Sequence, residues 1–551
     1  GEHEAFIYLL RSSSGIIREK IRETFGHIIS EEDEVRLANL IYYPEKMINQ
    51  IKQANEYTED WQKTAVYRLV QICREVSSKY TRSKVRKKMP KEFSGVIDEL
   101  LYVDNTDDNK TEYYSELINT LIDVRVADSF IVVICSLIRS LTIDNLHILG
   151  DIFDRGPRPD IILEELMHFH DVDIQWGNHD ISWMGAATGN RACICNVLRM
   201  ALGYNGFDVL EDGYGINLRP LSMFAERVYR DDPCTCFLPQ ILDKNIYDAV
   251  DPKLAAKMHK AIAVLQYKEE GQIIKRHPEY GMEERILLSA IRYDRGTVTI
   301  DGKEYPMRDM NFPTVDPADP LRLTDEEEEL LHTLELSFRH NARLHEHVRF
   351  LYSNGSMYKC CNSNLLYHGC IPMTENREFD GLMVGGKMYR GKELMDFIDT
   401  QVKNAYFLPE DAPEKEACRD FMWYLWNGAK SPVFGKDKNR SFEHYFIEDP
   451  EVMRETMNPY YQLSEEEETC DMILKEFGLP TKGSHIINGH MPVKIKSGET
   501  PIRAGGKLFI IDGGLSKAYQ ERTGIAGYTL IFNSHHLALA EHKPFDPERE
   551  R

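Results

Sequence analysis

Four short apolar segments of the sequence each run directly into a turn that carries glycine and a polar side chain. The segments are Leu146–Leu149, Val172–Trp176, Leu365–Tyr367 and Ile486–Ile487, and the polar residues that follow them are Asp151, Asn178, His368 and His490. Each segment has the length and apolar content of a buried strand that ends in a turn. Because α/β and related folds place ligands at the ends of such strands, we expect the four polar side chains to converge on one site.

The four side chains form a chemically coherent ligand set. One carboxylate, one amide oxygen and two imidazoles suit Mn, Fe or Zn, and the set lacks the thiolates of a structural zinc site. The carboxylate of Asp151 has two oxygens and can bridge two cations. Two metals roughly 3.5–4 Å apart can activate water and neutralise the attacking and leaving oxygens of an in-line displacement. The set therefore predicts a dinuclear-metal phosphoesterase.

The same two short motifs contain three further residues with matching roles. Arg155 offers a planar fork of donors to phosphate oxygens. His179 can protonate the departing alkoxide, and Asp154 can orient the His179 ring. Taken singly, an Asp or Asn beside glycine is a common turn former, and an adjacent Asp and Arg are a common surface pair. The combination of all these residues in two short motifs favours the catalytic interpretation.

Charge and composition exclude several classes of partner. The formal charge of −22 argues against nucleic acid, which is bound through clustered Lys and Arg. The longest apolar run, Ile131–Ile138, is broken by Arg139 and is too short to span a bilayer, so we expect no membrane partner. Gly1–Leu10 lacks the basic start of a secretory signal. Eleven Cys in 551 residues are below disulfide-scaffold density, which predicts reduced thiols and a cytoplasmic location.

Helical signals occupy three other parts of the chain. Ser30–Lys91 is predicted to be mainly helical, and we expect its basic stretch, Lys79–Lys91, to be a solvated helix face rather than an anion or effector site. A capping box formed by Thr324 and Glu327 predicts a helix that continues to Asn354-Gly355. Ser464 and Glu467 form a similar pair, which predicts a third helix. We expect that helix to end at Gly478 and Pro480.

The motifs also carry a resemblance to a known superfamily. The segments Gly150–Gly156 and Gly177–Asp180 resemble the second and third signatures of the calcineurin-like metallophosphatases. His368-Gly369 and Gly489-His490 resemble the later histidine motifs of that superfamily. The resemblance implies an α+β fold, a β-sandwich flanked by helices with two metals at one sheet edge, here with large and mainly helical insertions. Asp180 stands where the protein phosphatases often carry Glu.

Longer segments narrow the resemblance to the class III fructose-1,6-bisphosphatases. The similar segments are Gly1–Phe6, Asn488–Lys494, Ala504–Gly514 and Thr523–Thr529. That family implies hydrolysis of the C1 phosphate of fructose 1,6-bisphosphate, a sugar bisphosphate, to fructose 6-phosphate in gluconeogenesis. It also implies dependence on Mn²⁺ and allows a homo-oligomer. The second phosphate requires a basic group away from the metals, for which we select Lys494. Other candidates follow the last motif, namely Lys496, Arg503, Lys507 and Lys517.

The resemblance predicts a discontinuous core. We expect residues 1–184 and 366–551 to form the metallophosphatase core, with the helical segment 30–91 within it and a further insertion near 375–484. Residues 185–365 are predicted to be a mainly helical insertion. These insertions are large enough to wall the metal edge, as a closed site for a small substrate requires.

One departure leaves alternatives open. The first superfamily signature is Asp-x-His followed by Gly, and the printed sequence begins at that Gly, so two ligands of the first metal are missing. We expect the sequence to begin downstream of the start of the encoded protein. One alternative is a phosphoprotein or dinucleotide-polyphosphate phosphatase of the same superfamily. Another is a non-catalytic regulatory protein that lacks the first metal site.

Overall fold

The protein is a mixed α+β chain. A computed structural model describes residues 15–26, 28–102, 108–241, 250–516, 519, 522–524, 527–533 and 536–543. Within these ranges, helices predominate and the strands form five small sheets. No helix among the described residues is long and apolar enough to cross a membrane. Contacts divide the chain into two units, one within Ala5–Leu146 and the other mainly within His147–Arg551.

The first unit is helical. Its α-helices are Ile16–Phe25, Glu31–Tyr42, Pro44–Gln53, Glu59–Ser77, Arg82–Lys88, Ser94–Tyr102, Asp108–Asp123 and Ala127–Thr142. The helix Glu59–Ser77 begins where the hydroxyl of Thr58 accepts the Trp61 amide, and it buries Leu69 and Cys73 in the core of this unit. The predicted helical character of residues 30–91 is confirmed.

Four cations of the basic stretch in the first unit pair with two carboxylates. Arg82 and Arg86 each lie 2.6 Å from Asp98. Two lysines of the same helix reach a second carboxylate in the same way; they are Lys84 and Lys88, both paired with Asp144. Pairs at a solvated surface contribute little to stability, about 0–1 kcal/mol each. The arrangement agrees with the predicted solvated helix face.

The second unit contains the remaining elements. Its α-helices are Pro159–Met167, Asn178–Ala187, Arg191–Gly203, Arg219–Val228, Pro252–Arg276, Leu287–Ala290, Asp325–Arg339, Ala342–Asn354, Gly391–Phe407, Lys415–Asn427, Ser441–Phe446, Tyr460–Leu463 and Glu467–Glu476. The strands of the chain are β1 (Leu146–Ile148), β2 (Val172–Gln175), β3 (Ile291–Arg292), β4 (Thr297–Ile300), β5 (Lys303–Pro306), β6 (Gly355–Ser356), β7 (Tyr358–Cys361), β8 (Asn364–Tyr367), β9 (Gly381–Val384), β10 (Lys387–Arg390), β11 (Ile486–Asn488), β12 (Ile502–Arg503), β13 (Leu508–Ile510), β14 (Tyr528–Phe532) and β15 (Leu537–Glu541). All four predicted motif strands are present, as β1, β2, β8 and β11.

The largest sheet has the strand order β12-β13-β11-β8-β7. Its three inner strands are parallel, with Ile486 of β11 opposite Leu508 of β13 and Leu365 of β8. The inner strands are almost wholly buried, which accounts for their short, continuous apolar runs. Since parallel strands end at the same edge, the residues that follow β8, β11 and β13 lie side by side.

A second small sheet, with the order β1-β2-β6, brings the other two motifs to the same place. Leu149, which follows β1, packs in one buried cluster with a residue from each inner strand of the larger sheet. Those residues are Leu366, Ile487 and Phe509. This apolar contact places the turn after β1 beside the ends of β8 and β11.

Two helix boundaries differ from the prediction. The capping box of Thr324 and Glu327 is present, but the helix it starts ends at Arg339. A new helix begins at Ala342 because the side chain of Asn341 accepts the Leu344 amide and caps it. The helix predicted from Ser464 instead starts at Glu467 without a side-chain cap, since Ser464 closes the preceding turn Tyr460–Leu463.

Candidate functional site

Three of the predicted ligands converge at the sheet edge. Single ligand atoms of Asp151, His368 and His490 all lie within 4.8 Å of one another. The Nε2 atom of His368 is 3.3 Å from Oδ2 of Asp151 and 3.1 Å from Nδ1 of His490. All three side chains are largely withdrawn from solvent. The strand ends therefore bring together the residues as the sequence predicts.

Hydrogen bonds to backbone carbonyls fix which nitrogen of each ring faces the others. Nδ1 of His368 donates to the Leu149 carbonyl at 2.5 Å, and Nε2 of His490 donates to the Phe434 carbonyl at 3.0 Å. A carbonyl only accepts, so each of these nitrogens carries a proton. In neutral rings the two facing nitrogens then present lone pairs to each other across 3.1 Å. Such a pair needs a proton or a cation between its members, and metal-bound histidines are typically oriented by carbonyls in this way.

The electrostatics of the pair are asymmetric. Burial lowers the pKa of His368, but the charge and hydrogen bond of Asp151 outweigh it and raise the pKa to about 9. Burial, followed by the positive charge of His368, lowers the pKa of His490 to about 3. Although burial opposes it, the His368 charge holds the pKa of the Asp151 carboxyl below its usual range. With these pKa values the positive charge lies on His368, between the Asp151 carboxylate and the neutral His490 ring.

The fourth predicted ligand, Asn178, has an unused acceptor. The Asn178 residue is 8% exposed, and its buried Oδ1 atom has no hydrogen-bond partner among the residues that the structure describes. Leaving a buried amide oxygen unpaired costs about 1–3 kcal/mol of folding free energy, so such an atom usually has a hydrogen-bond partner or a bound ion. An amide oxygen and two imidazole nitrogens are donors of the types that divalent cations accept.

Glycines allow the first two motifs to approach each other closely. A Cβ atom at Gly177 would overlap Oδ1 of Asp151, and one at Gly150 would overlap the backbone of Gly177. Asp151 itself adopts a positive φ of 59°, and His490 one of 66°. Non-glycine residues in this region are strained and concentrate at functional sites.

Asp180 ties the two motif loops together. Its carboxylate accepts the backbone amides of Asp151 at 2.7 Å, Gly177 at 3.0 Å and Phe153 at 3.3 Å. Burial and then the charge of Asp151 raise the pKa of Asp180 to about 6. The residue that departs from the protein-phosphatase pattern therefore positions the loops.

The predicted acid and phosphate-binding residues adjoin the ligands. Nε2 of His179 lies 3.2 Å from Oδ1 of Asp154, and together with Asp151 these residues form a second cluster of close ligand-type atoms. The guanidinium of Arg155 lies 4.3 Å from the ring centre of Tyr204 and 5.1 Å from that of Tyr519. Cation–π contact with two rings restricts the position of the guanidinium.

Lys494, the residue predicted to bind the second phosphate, lies on the surface. Its side chain is exposed and its backbone amide donates to Glu499 at 3.0 Å. Two of the other candidate cations are paired with carboxylates: Arg503 with Glu465, and Lys507 with Asp471. The segment Gly1–Phe6 and the candidate Lys517 lie outside the described residues.

Two residues at the site were missed in the sequence. Asp512 follows β13 as Asp151 follows β1, and burial, then the charge of Asp151, raises its pKa to about 6. The strand-then-Asp-Gly pattern was a usable signal for it. Trp426 packs edge-on against His179, with ring centres 5.0 Å apart. No local pattern marks Trp426, because helix Lys415–Asn427 is distant from the motifs in sequence.

Comparison with known proteins covers the whole chain. The family described as firmicute fructose-1,6-bisphosphatase matches residues 1–551. The class 3 fructose-1,6-bisphosphatase of Clostridium tetani is 50% identical over 550 residues, which is 100% of this chain and 83% of that protein. The class 3 enzyme of Bacteroides fragilis is 51% identical over 546 residues, 99% of this chain and 82% of that protein. No solved structure matches. The chain therefore belongs to the firmicute fructose-1,6-bisphosphatase family.

Proposed function

We propose that this enzyme removes the C1 phosphate of fructose 1,6-bisphosphate, giving fructose 6-phosphate and inorganic phosphate, a step of gluconeogenesis. Membership of the family and relatives at about 50% identity over the full chain support hydrolysis of this substrate. The choice of the C1 phosphate follows from the resemblance of the motifs.

The observation that carries the mechanism is the pair of facing ring nitrogens of His368 and His490 beside Asp151. We assign these three residues and Asn178 as ligands of a divalent cation. The set combines oxygen donors with imidazoles, which suits Mn²⁺ among other divalent metals. When two such cations are bound, they supply Lewis-acid activation of water and of the phosphoryl oxygens.

The other residues act on the substrate directly. Arg155, in contact with two tyrosine rings, binds oxygens of the scissile phosphate through its planar fork of donors. His179 gives a proton to the sugar oxygen as the bond to phosphorus breaks. Asp154, whose Oδ1 atom lies 3.2 Å from Nε2 of His179, is our candidate for orienting this ring during the reaction. Lys494 is retained as our candidate for the second phosphate.

Three broader assignments belong to this proposal. We assign a calcineurin-like β-sandwich, supported by the Leu149 cluster that joins the two strand-end sheets. The core is assigned to residues 1–184 and 366–551, with 185–365 as a helical insertion. A cytoplasmic location is supported by eleven cysteines, all of them free thiols. Self-association stays a prediction.

The test is phosphate release by the full-length encoded protein with Mn²⁺ present. Fructose 1,6-bisphosphate, a phosphopeptide, a dinucleoside polyphosphate and p-nitrophenyl phosphate are compared at equal concentration. We expect the sugar bisphosphate to have the highest kcat/KM, and Mn²⁺ removal by a chelator to abolish turnover.

Two other results of this assay would favour the alternative functions. Preference for the phosphopeptide or the dinucleotide would replace the substrate but keep the phosphatase chemistry. Absence of turnover on every substrate, with metal bound, would favour a non-catalytic regulatory protein.

A further inference from the structure

A cavity adjoins His179, and its lining does not include Asp151, His368 or His490. Its wall contains several aromatic rings among smaller side chains and includes Phe153, Arg155, His179, Trp183, Tyr204 and Trp426. Rings such as these present flat apolar surfaces, so binding here depends on a small number of polar groups for orientation.

Two N–H groups in this wall have no acceptor. Nε1 of Trp426 and Nε of Arg155 are both buried, and neither has a hydrogen-bond partner among the described residues. The nearby oxygen of Asp154 is 3.6 Å from the Arg155 Nε atom, beyond hydrogen-bonding distance. Trp426 as a whole is 6% exposed. A buried donor without an acceptor is costly, so a molecule that brings an acceptor oxygen gains affinity.

The position of Trp426 indicates which part of the substrate it meets. Its ring stands at 80° to the His179 ring, with the centres 5.0 Å apart. In the proposed reaction His179 protonates the sugar oxygen, so the side chain packed against His179 lies toward the leaving group. Arg155, by contrast, is assigned to the scissile phosphate.

We infer that Trp426 is a specificity-determining residue whose indole N–H donates to an oxygen of the sugar part of the substrate. This inference rests on the proposed function. A polar group placed for a substrate hydroxyl disfavours phosphate esters that lack one, because the donor is then left unpaired. Trp426 lies in helix Lys415–Asn427, so selectivity comes from the predicted insertion near 375–484 while the chemistry comes from the strand ends.

The same helix provides a matched control. Trp423 lies one turn before Trp426 and is 1% exposed. Its indole N–H donates to the Glu270 carboxylate at 3.2 Å, so it is already satisfied within the protein. Substitution of Trp423 by Phe removes a buried indole without affecting the cavity donor.

The experiment compares the wild-type enzyme with Trp426→Phe and Trp423→Phe. For Trp426→Phe we expect the KM for fructose 1,6-bisphosphate and the Ki of fructose 6-phosphate to rise about tenfold, the effect of one lost hydrogen bond. Hydrolysis of p-nitrophenyl phosphate and inhibition by inorganic phosphate should stay within about twofold. Trp423→Phe should leave all four values near wild type. If Trp426→Phe weakens inhibition by inorganic phosphate as much as inhibition by fructose 6-phosphate, the donor binds the phosphate instead of the sugar. If none of the four values changes, the inference is wrong.

A second measurement does not depend on the variants folding. Wild-type protein labelled with nitrogen-15 in its five tryptophans is titrated with fructose 6-phosphate and, separately, with inorganic phosphate. One indole N–H resonance should shift downfield with the sugar phosphate alone, and the absence of any such shift contradicts the inference. A wild-type enzyme that does not hydrolyse fructose 1,6-bisphosphate would remove the proposed function as well. If the wild type is active and Trp426→Phe behaves like Trp423→Phe, the inference about Trp426 is wrong and the proposed function is unaffected.

Discussion

The Nε2 atom of His368 lies 3.1 Å from the Nδ1 atom of His490, although the two residues are 122 positions apart in the chain. Each ring donates its other N–H to a backbone carbonyl, so in neutral rings the two facing atoms carry lone pairs. Parallel strands β8 and β11 end side by side and fix this relationship. The geometry supports the proposed cation site, in which a bound cation would take the place of a proton shared between the two rings.

His490→Ala removes one of the two facing nitrogens. Losing a residue that only hydrogen-bonds to a metal ligand typically lowers metal affinity roughly 10–100-fold. Because His490 is proposed to be a ligand itself, we expect its loss to lower Mn²⁺ affinity by more than that. Metal content after equilibrium dialysis provides the measurement. His485→Ala is the control, because that ring donates to the Gly506 carbonyl and belongs to neither ligand cluster. Equal metal content in the two variants would contradict the ligand assignment.

His179→Ala separates chemistry from metal binding. The ring lies against Asp154 and Trp426, and its proposed role is proton donation to the leaving oxygen. We expect kcat to fall about 10²–10⁴-fold while bound Mn²⁺ stays near the wild-type level. Turnover and metal content are measured on one preparation, so that a variant that loses both in parallel would reveal His179 as a ligand.

Gly177→Ala tests the close approach of the two motif loops. The added Cβ would overlap Oδ1 of Asp151, so one loop must move. We expect a loss of stability of about 1–3 kcal/mol, as for other overpacked sites, together with reduced metal content. Gly95→Ala is the matched control: its Cβ meets nothing within 4 Å, and a helical Gly→Ala change is neutral or stabilising by up to ~1 kcal/mol. Similar melting temperatures for the two variants would refute the packing argument.

His277 gives a pH-dependent contribution to stability away from the site. Its two nitrogens contact Asp420 at 2.8 Å and Glu279 at 2.7 Å, and the hydrogen bond to Asp420 is the main cause of its raised pKa. A raised folded-state pKa stabilises the fold fully below the unfolded value of about 6.5, and the contribution is lost as the pH rises through the folded value.

The corresponding variant is His277→Gln. We expect it to be destabilised by about 1 kcal/mol near pH 6 and by less near pH 9, measured by denaturant unfolding at both pH values. Arg276 also contacts Asp420, and its charge is constant over this range, so it does not produce the difference. A loss that grows toward high pH would reverse the sign of the linkage.

The residues that we propose as ligands could be selected from the sequence because their signal is local. Asp151, Asn178, His368 and His490 each follow an apolar strand and a glycine-containing turn, and parallel ends of strands share an edge. Asp512 carries the same signal at β13 and could have been found in the same way. The choice of ring nitrogen could not be predicted, since it depends on carbonyls such as that of Phe434, far away in sequence.

Other features depended on contacts that no local pattern records. Trp426 reaches His179 through the packing of a helix about 250 residues further along the chain. The helix predicted to run unbroken from Thr324 to Asn354 is split because Asn341 competes as a cap. Lys494 was chosen for its position after the last motif, and its exposed side chain leaves its role a prediction.

The most direct test is the location of Mn²⁺ in crystals of the full-length protein, measured by anomalous diffraction near the manganese edge. We predict a peak bonded to Nε2 of His368, Nδ1 of His490 and Asp151, with Oδ1 of Asn178 as a further ligand. A peak elsewhere, or bonded to neither ring, would contradict the assignment of the cation site.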